Sequence, residues 1–142
     1  MADTLFDELG GMACLEKVHR IFYGKLLSDS WLKGFFDGVP RPHLEAQQSD
    51  FMAGLFGGPK VYAGKLPRSA HKHMFITEEV FLARHDLLKQ SLVEASVRPD
   101  LMARWLDYYM RMKKALVKAS VEDCEQRYNN EAVLVVEKPA LP

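Results

Sequence analysis

Cysteine is scarce: Cys14 and Cys124 are the only two in 142 residues, and they form no CxxC and no closely spaced metal pattern. Both thiols are expected to be free, which suits a reducing cytoplasm. Charge of either sign is not in excess. Nineteen Lys and Arg balance nineteen Asp and Glu, so the net charge is zero. No global field gathers nucleic acid or an anionic membrane. The local group Lys113, Lys114 and Lys118 falls in a helical stretch with acids nearby and reads as a solvated helix face. No apolar run is long enough to cross a bilayer, so membrane insertion is not expected. The opening Met1-Ala2-Asp3-Thr4 is acidic and lacks the apolar core of a signal peptide. HExxH and clustered carboxylate–histidine patterns are missing too, which leaves zinc and di-iron centres without support.

What the chain does have is core material: 48% of its residues are hydrophobic. With no repeat and no linker, one domain is the simplest reading. The apolar residues recur at helical spacing. A short helix is expected over Thr4 to Leu9, ended by Gly10-Gly11. A longer one follows from about Met12 to Leu27, with Leu15, Val18, Phe22 and Leu26 on one stripe. Ser28-Asp29-Ser30 restarts a short helix carrying Trp31, Leu32, Phe35 and Phe36. Gly38-Val39-Pro40-Arg41-Pro42 makes a stiff corner, and Pro42 suits the first turn of a helix running to Leu55. Gly57-Gly58 and Pro59 stop that helix, and residues 59–67 read as irregular. A helical turn is expected over Ser69 to Met74. Two long helices follow, one from a Thr77 cap with Glu78 and Glu79 behind it, the other from Pro99. The second carries Leu101, Trp105, Tyr109, Met112 and Leu116. Residues 131–136 are β-prone but have no evident partner strand. Residues 129–142 are therefore expected to form a tail, docked or loose, on a domain of residues 1–128.

The helix from Pro42 to Leu55 points to chemistry. Leu44, Gln47, Gln48, Phe51, Met52 and Leu55 share one face. Four of the six are apolar, so the face should be buried, yet it carries two amides. A buried amide without partners costs about 1–3 kcal/mol. Either the pocket offers the glutamines something polar, or Gln47 reaches water at a rim. Tyr23 stands at the edge of the preceding stripe as a third polar group. Of five histidines, His71 and His73 cannot share a metal if helical, because i and i+2 point apart. A site that needs one imidazole remains open, and haem iron is such a site. Phe22, Phe35, Phe36, Phe51, Met52, Leu55, Met74, Phe75, Ile76 and Phe81 would suit its surroundings, but equally a plain core. On composition and spacing alone the chain is a helical domain with a polar-lined pocket.

An ordered set of motifs takes the reading further. Thr4-Leu5-Phe6-Asp7-Glu8-Leu9-Gly10-Gly11 is followed by Phe22-Tyr23, Phe35-Phe36 and Gln47-Gln48-x-x-Phe51. Then come Phe56-Gly57-Gly58, Tyr62-x-Gly64 and Ala70-His71-Lys72. In this order and spacing the chain resembles the truncated haemoglobins, most closely group 1, from residue 4 to about residue 118. The resemblance implies an all-α, globin-like, two-over-two helical sandwich holding haem b, iron protoporphyrin. It implies His71 as the proximal ligand, its other ring nitrogen donating to a carbonyl. Tyr23 and Gln48 would bond the ligand on the distal side, with Gln47 as a helper and Leu44 at the gate. The haem-contacting set would be Phe22, Phe36, Phe51, Met52, Leu55, Tyr62, Leu66, Met74, Phe75, Ile76, Phe81 and Arg84.

Three departures stand out. Gln47 occupies a position where some relatives have an iron-binding histidine, so no distal histidine is expected, and His43 should point away. Arg84 falls near a position usually apolar and haem-facing: either the register slips there, or the guanidinium reaches a haem carboxylate. His73 is either a surface residue or a carboxylate neighbour. The implied function is binding of diatomic gases (oxygen, nitric oxide, carbon monoxide). An alternative is oxidation of nitric oxide to nitrate, which would need a partner reductase, since no flavin or nicotinamide module is present. A cofactor-free helical interaction domain is the reading from another class, and a sensor input without an output domain is a further one.

Overall fold

In a computed structural model, which describes residues 4–139, the chain forms six α-helices: α1 (Leu5–Leu9), α2 (Met12–Ser28), α3 (Arg41–Leu55), α4 (Pro67–His71), α5 (Glu78–Glu94) and α6 (Pro99–Leu116). Local chemistry sets their ends. Thr4 Oγ1 accepts from Asp7 N–H at the start of α1, and Thr77 Oγ1 accepts from Val80 N–H at the start of α5, both at 3.1 Å. Pro42, Pro67 and Pro99 sit in first turns, where a missing N–H costs nothing. The expected helix after Ser30 is a 3-10 turn, Leu32–Phe36. Asp29 Oδ1 starts it by accepting from the N–H groups of Trp31 and Leu32. α4 begins two residues earlier than Ser69 and ends at His71, because Pro67 favours the N-terminal turn.

α2 lies against α3 and α5, and α6 lies against α5, α4 and α1. This makes a two-over-two sandwich, α2/α3 on α5/α6. Its core is filled by Leu15, Phe22, Leu26, Met52, Phe56, Phe81, Leu88, Leu92 and Trp105, each at most 2% exposed. The α3 terminus docks on α1 through Gly57 and Gly58. Gly57 has φ +92°, and a Cβ on Gly58 would stand 2.6 Å from the Phe6 ring. Phe6 N–H donates to Phe56 O at 2.9 Å across the same junction.

The tail is docked, and the β-prone stretch does find a partner. Leu134 pairs in parallel with Met74: Leu134 N–H donates to His73 O at 2.8 Å, and Phe75 N–H donates to Leu134 O at 2.9 Å. Glu125 N–H donates to Lys72 O at 2.8 Å. Trp31 Nε1–H reaches Val136 O at 3.2 Å, and Val136 packs where only a glycine, Gly34, leaves room. Lys118 is not on a solvated helix face. Its ammonium donates to His71 O at 2.6 Å and Met74 O at 2.7 Å, beyond the end of α6. Lys113 instead pairs with Glu78.

Leu134→Pro removes the N–H given to His73 and should lower the unfolding free energy by about 1–3 kcal/mol in urea denaturation. Leu134→Ala keeps that bond and should lose less. Equal stability of the proline variant and the parent would mean that the tail adds nothing to the fold.

Candidate functional site

Between the two layers lies a cavity of about 220 Å³. That is far above the roughly 10–15 Å³ one water needs, so it is a built space and not a packing defect. α2 supplies Tyr23 and Leu26; the 3-10 turn and the corner after it supply Phe35, Phe36 and Val39. α3 adds Leu44, Gln47, Gln48 and Phe51. The irregular loop and α4 add Tyr62, Lys65, Pro67, Ala70 and His71, with Met74 just beyond. Arg84 comes from α5, and Tyr109, Met112 and Leu116 come from α6.

His71 is the one histidine in this lining. Its Nδ1 lies 2.7 Å from Pro67 O, one helical turn earlier. A carbonyl can only accept, so Nδ1 carries the proton and donates. In the neutral ring Nε2 then keeps its lone pair. Burial pushes the imidazole down to about 4, against the pull of the Pro67 carbonyl and helped by the Arg84 and Lys118 charges. The ring is therefore neutral near pH 7, with its tautomer set: the form a metal needs from an imidazole.

A polar group of different character lines the cavity from α2, α3, α5 and α6. Tyr23 is 5% exposed, and burial raises its phenol well above the ordinary range, so it remains a donor. Its ring meets Phe36 edge-on at 6.0 Å. Gln48 donates through Nε2 to the Tyr109 hydroxyl. Gln47 is exposed at the rim, and His43 is exposed outside. Behind Tyr23, one turn earlier on α2, His19 is completely buried and bonds Ser49 Oγ at 2.8 Å through Nδ1. Its ring stands edge-on to Trp105 at 5.7 Å, and its Nε2 has no protein partner.

Of the residues expected from the sequence, the fold brings together Tyr23, Phe36, Leu44, Gln47, Gln48, Phe51, Tyr62, His71, Met74 and Arg84. It does not bring Phe22, Met52, Leu55, Leu66, Phe75, Ile76 or Phe81 to the cavity lining. Phe22, Met52 and Phe81 turn into the helix–helix core. Leu55 and Leu66 are 38% and 67% exposed. Phe75 and Ile76 are taken up by the docking of the tail and of Lys118, whose N–H donates to Ile76 O. His73 is neither a surface residue nor a lining residue: the tail covers it to 4% exposure. Arg84 keeps its guanidinium among aromatic rings, its central carbon 4.3 Å from the Tyr109 ring centre and 4.9 Å from that of Phe22. Tyr109 was the least expected member. Its signal was a hydroxyl within the otherwise apolar stripe of α6.

Comparison with known proteins follows the same outline. Residues 4–120 match the model of the family described as bacterial-like globin. The chain is 35% identical to a group 1 truncated hemoglobin of Tetrahymena thermophila over 99 residues, 70% of this chain and 82% of that one. It is 32% identical to a group 1 truncated hemoglobin of Mycolicibacterium paratuberculosis, over 72% of this chain and 76% of that one. The crystal structure of truncated hemoglobin from Tetrahymena pyriformis in its Fe(III) form superposes with a TM-score of 0.76 at 30% identity. It covers 81% of this chain and 98% of that one.

The buried pair behind Tyr23 makes stability depend on pH. Burial, with Arg84 adding, lowers the His19 pKa from 6.5 to about 3. The unfolded ring takes up a proton that the folded ring refuses, so stability falls as pH drops from 6.5 toward 3. Between pH 7 and pH 5 this histidine should cost the parent about 2 kcal/mol. His19→Gln should flatten the dependence by that amount when urea unfolding is measured at both pH values. An equally steep dependence in the variant would show that another group carries it.

Proposed function

Because the chain belongs to the truncated hemoglobins, a family of bacterial-like globins with group 1 members among its relatives, we propose that it holds one haem b on His71 and binds diatomic gases. The observation that carries this reading is the His71 ring itself, neutral and fixed by its Nδ1–H bond to Pro67 O with Nε2 left as a lone-pair donor on a cavity wall. The rest of the lining fits the group. Phe36, Phe51, Met74, Met112 and Leu116 offer apolar surface to a macrocycle, and Lys65, exposed on the same lining, suits a haem carboxylate. Attachment would be non-covalent, since the chain has no CxxCH.

Bound haem supplies an iron that coordinates a small gas reversibly. The chain's own contribution is the environment of that gas. Tyr23 keeps its phenolic proton and has no protein acceptor among the described residues, so its O–H is free to donate into the cavity. Gln48 is held in place by Tyr109 and presents an amide beside it. In a water-poor pocket these donors would stabilise negative charge on a gas ligand that the haem held there. Leu44 keeps the approach apolar, and Gln47 at the rim meets water first.

Absorption spectra of the purified protein, oxidised and reduced, test the premise, and a protein that stays colourless with haem supplied would end it. His71→Ala should weaken haem retention more than about tenfold, with loss of the axial imidazole signature. Tyr23→Phe should speed oxygen dissociation by about tenfold, the worth of one hydrogen bond to a charged acceptor. An unchanged rate in stopped flow would remove the phenol from ligand binding.

A further inference from the structure

Arg84 is a cation that the gas-binding reading does not use. Its Nη1 is buried and has no hydrogen-bond partner. No carboxylate lines the cavity, and among the described residues none forms an ion pair with Arg84. Glu45, on α3, is committed to Arg41 at 2.7 Å. What holds the guanidinium is aromatic surface: its central carbon stands 4.3 Å from the Tyr109 ring centre and 4.9 Å from that of Phe22. Such contacts recover only part of what withdrawing a charge from water costs. The Nη1–H groups of Arg84 are left unspent. Those are the groups that bind anions.

Position matters as much as pairing. Arg84 lies on the cavity lining with Tyr23, Gln48 and Tyr109. Resting on the proposed haem site, we propose that Arg84 makes the gas pocket an anion pocket: small inorganic monoanions, with nitrite and azide as examples, are bound there by the half-buried guanidinium, through its unpartnered Nη1, together with the Tyr23 hydroxyl. The chemistry is simple complementarity. Carbon monoxide, with little charge of its own, gains little from a formal positive charge, whereas a monoanion entering the cavity gains a charge-assisted hydrogen bond and neutralises a cation that has no ion-pair partner among the described residues.

The test is ligand binding to the holoprotein read from haem absorption, without turnover. Ferric protein is titrated with sodium azide and with sodium nitrite, and ferrous protein with carbon monoxide as the neutral control. Arg84→Met, which keeps the stem and removes the charge, should weaken both anions by about tenfold or more and leave carbon monoxide affinity nearly unchanged. Arg84→Lys should retain part of the anion affinity. Unchanged anion affinity in Arg84→Met overturns the proposal, and so does an equal loss for anions and carbon monoxide, which would mean general damage to the pocket. Faster haem release with unaltered anion binding overturns it as well, and assigns the guanidinium to a haem carboxylate. A parent protein that takes up no haem removes both this inference and the reading beneath it. Normal haem and carbon monoxide binding with indifference to Arg84 removes this inference alone.

Discussion

A helix of five residues cannot hold itself together in water, because nucleation costs more than its few internal hydrogen bonds return. α4 is such a helix, and it carries His71. Its position is therefore decided by what surrounds it. Pro67 presets its first turn. At its other end the Lys118 ammonium donates to the carbonyls of His71, the last helical residue, and of Met74 just beyond it. The tail then clamps the next residues through Leu134 and Glu125. The imidazole that defines the site is thus aimed by residues 47 to 63 positions further along the chain. The family match ends at residue 120, so much of this clamp lies beyond it.

The opposite wall is built on different terms. α2 and α3 are long enough to be set by their own apolar stripes, so their polar residues are carried passively to fixed places. Tyr23 follows Phe22 into the core, Gln48 meets Tyr109, and His19 and Ser49 bond between the two helices directly behind. A core this rich in polar groups is costly to fold unless those groups are satisfied. Here several are satisfied by one another; His19 Nε2 and Trp105 Nε1 stay unpaired in the core, whereas the Tyr23 hydroxyl and Arg84 Nη1 belong to residues of the cavity lining. Those two give the cavity donors that no protein group among the described residues uses.

Legibility differed between long and short elements for a physical reason. Both ends of α2 and α3, and the starts of α5 and α6, were readable within two residues from caps, prolines and glycines, since capping is a local interaction. The β-prone stretch around Leu134 was readable as such, but not its partner, because pairing across sixty residues leaves no trace in local pattern. The lining was readable where one helix face decides it, as with Leu44, Gln47, Gln48 and Phe51. It was not where rotation of an element decides it. Met52 and Leu55 share that face by spacing, yet one turns into the core and the other to solvent.

Periodicity and caps determined an all-helical domain and the bounds of α2 and α3, because each depends on neighbours within one or two turns; the ordered motifs from Thr4 to Lys72, through the family they resemble, named the histidine to watch. Tertiary structure alone decided that Tyr109 supports Gln48, that Lys118 and the tail hold α4, and that Arg84 lies against two rings. Those arrangements join residues far apart in the chain, and only packing brings their atoms within reach.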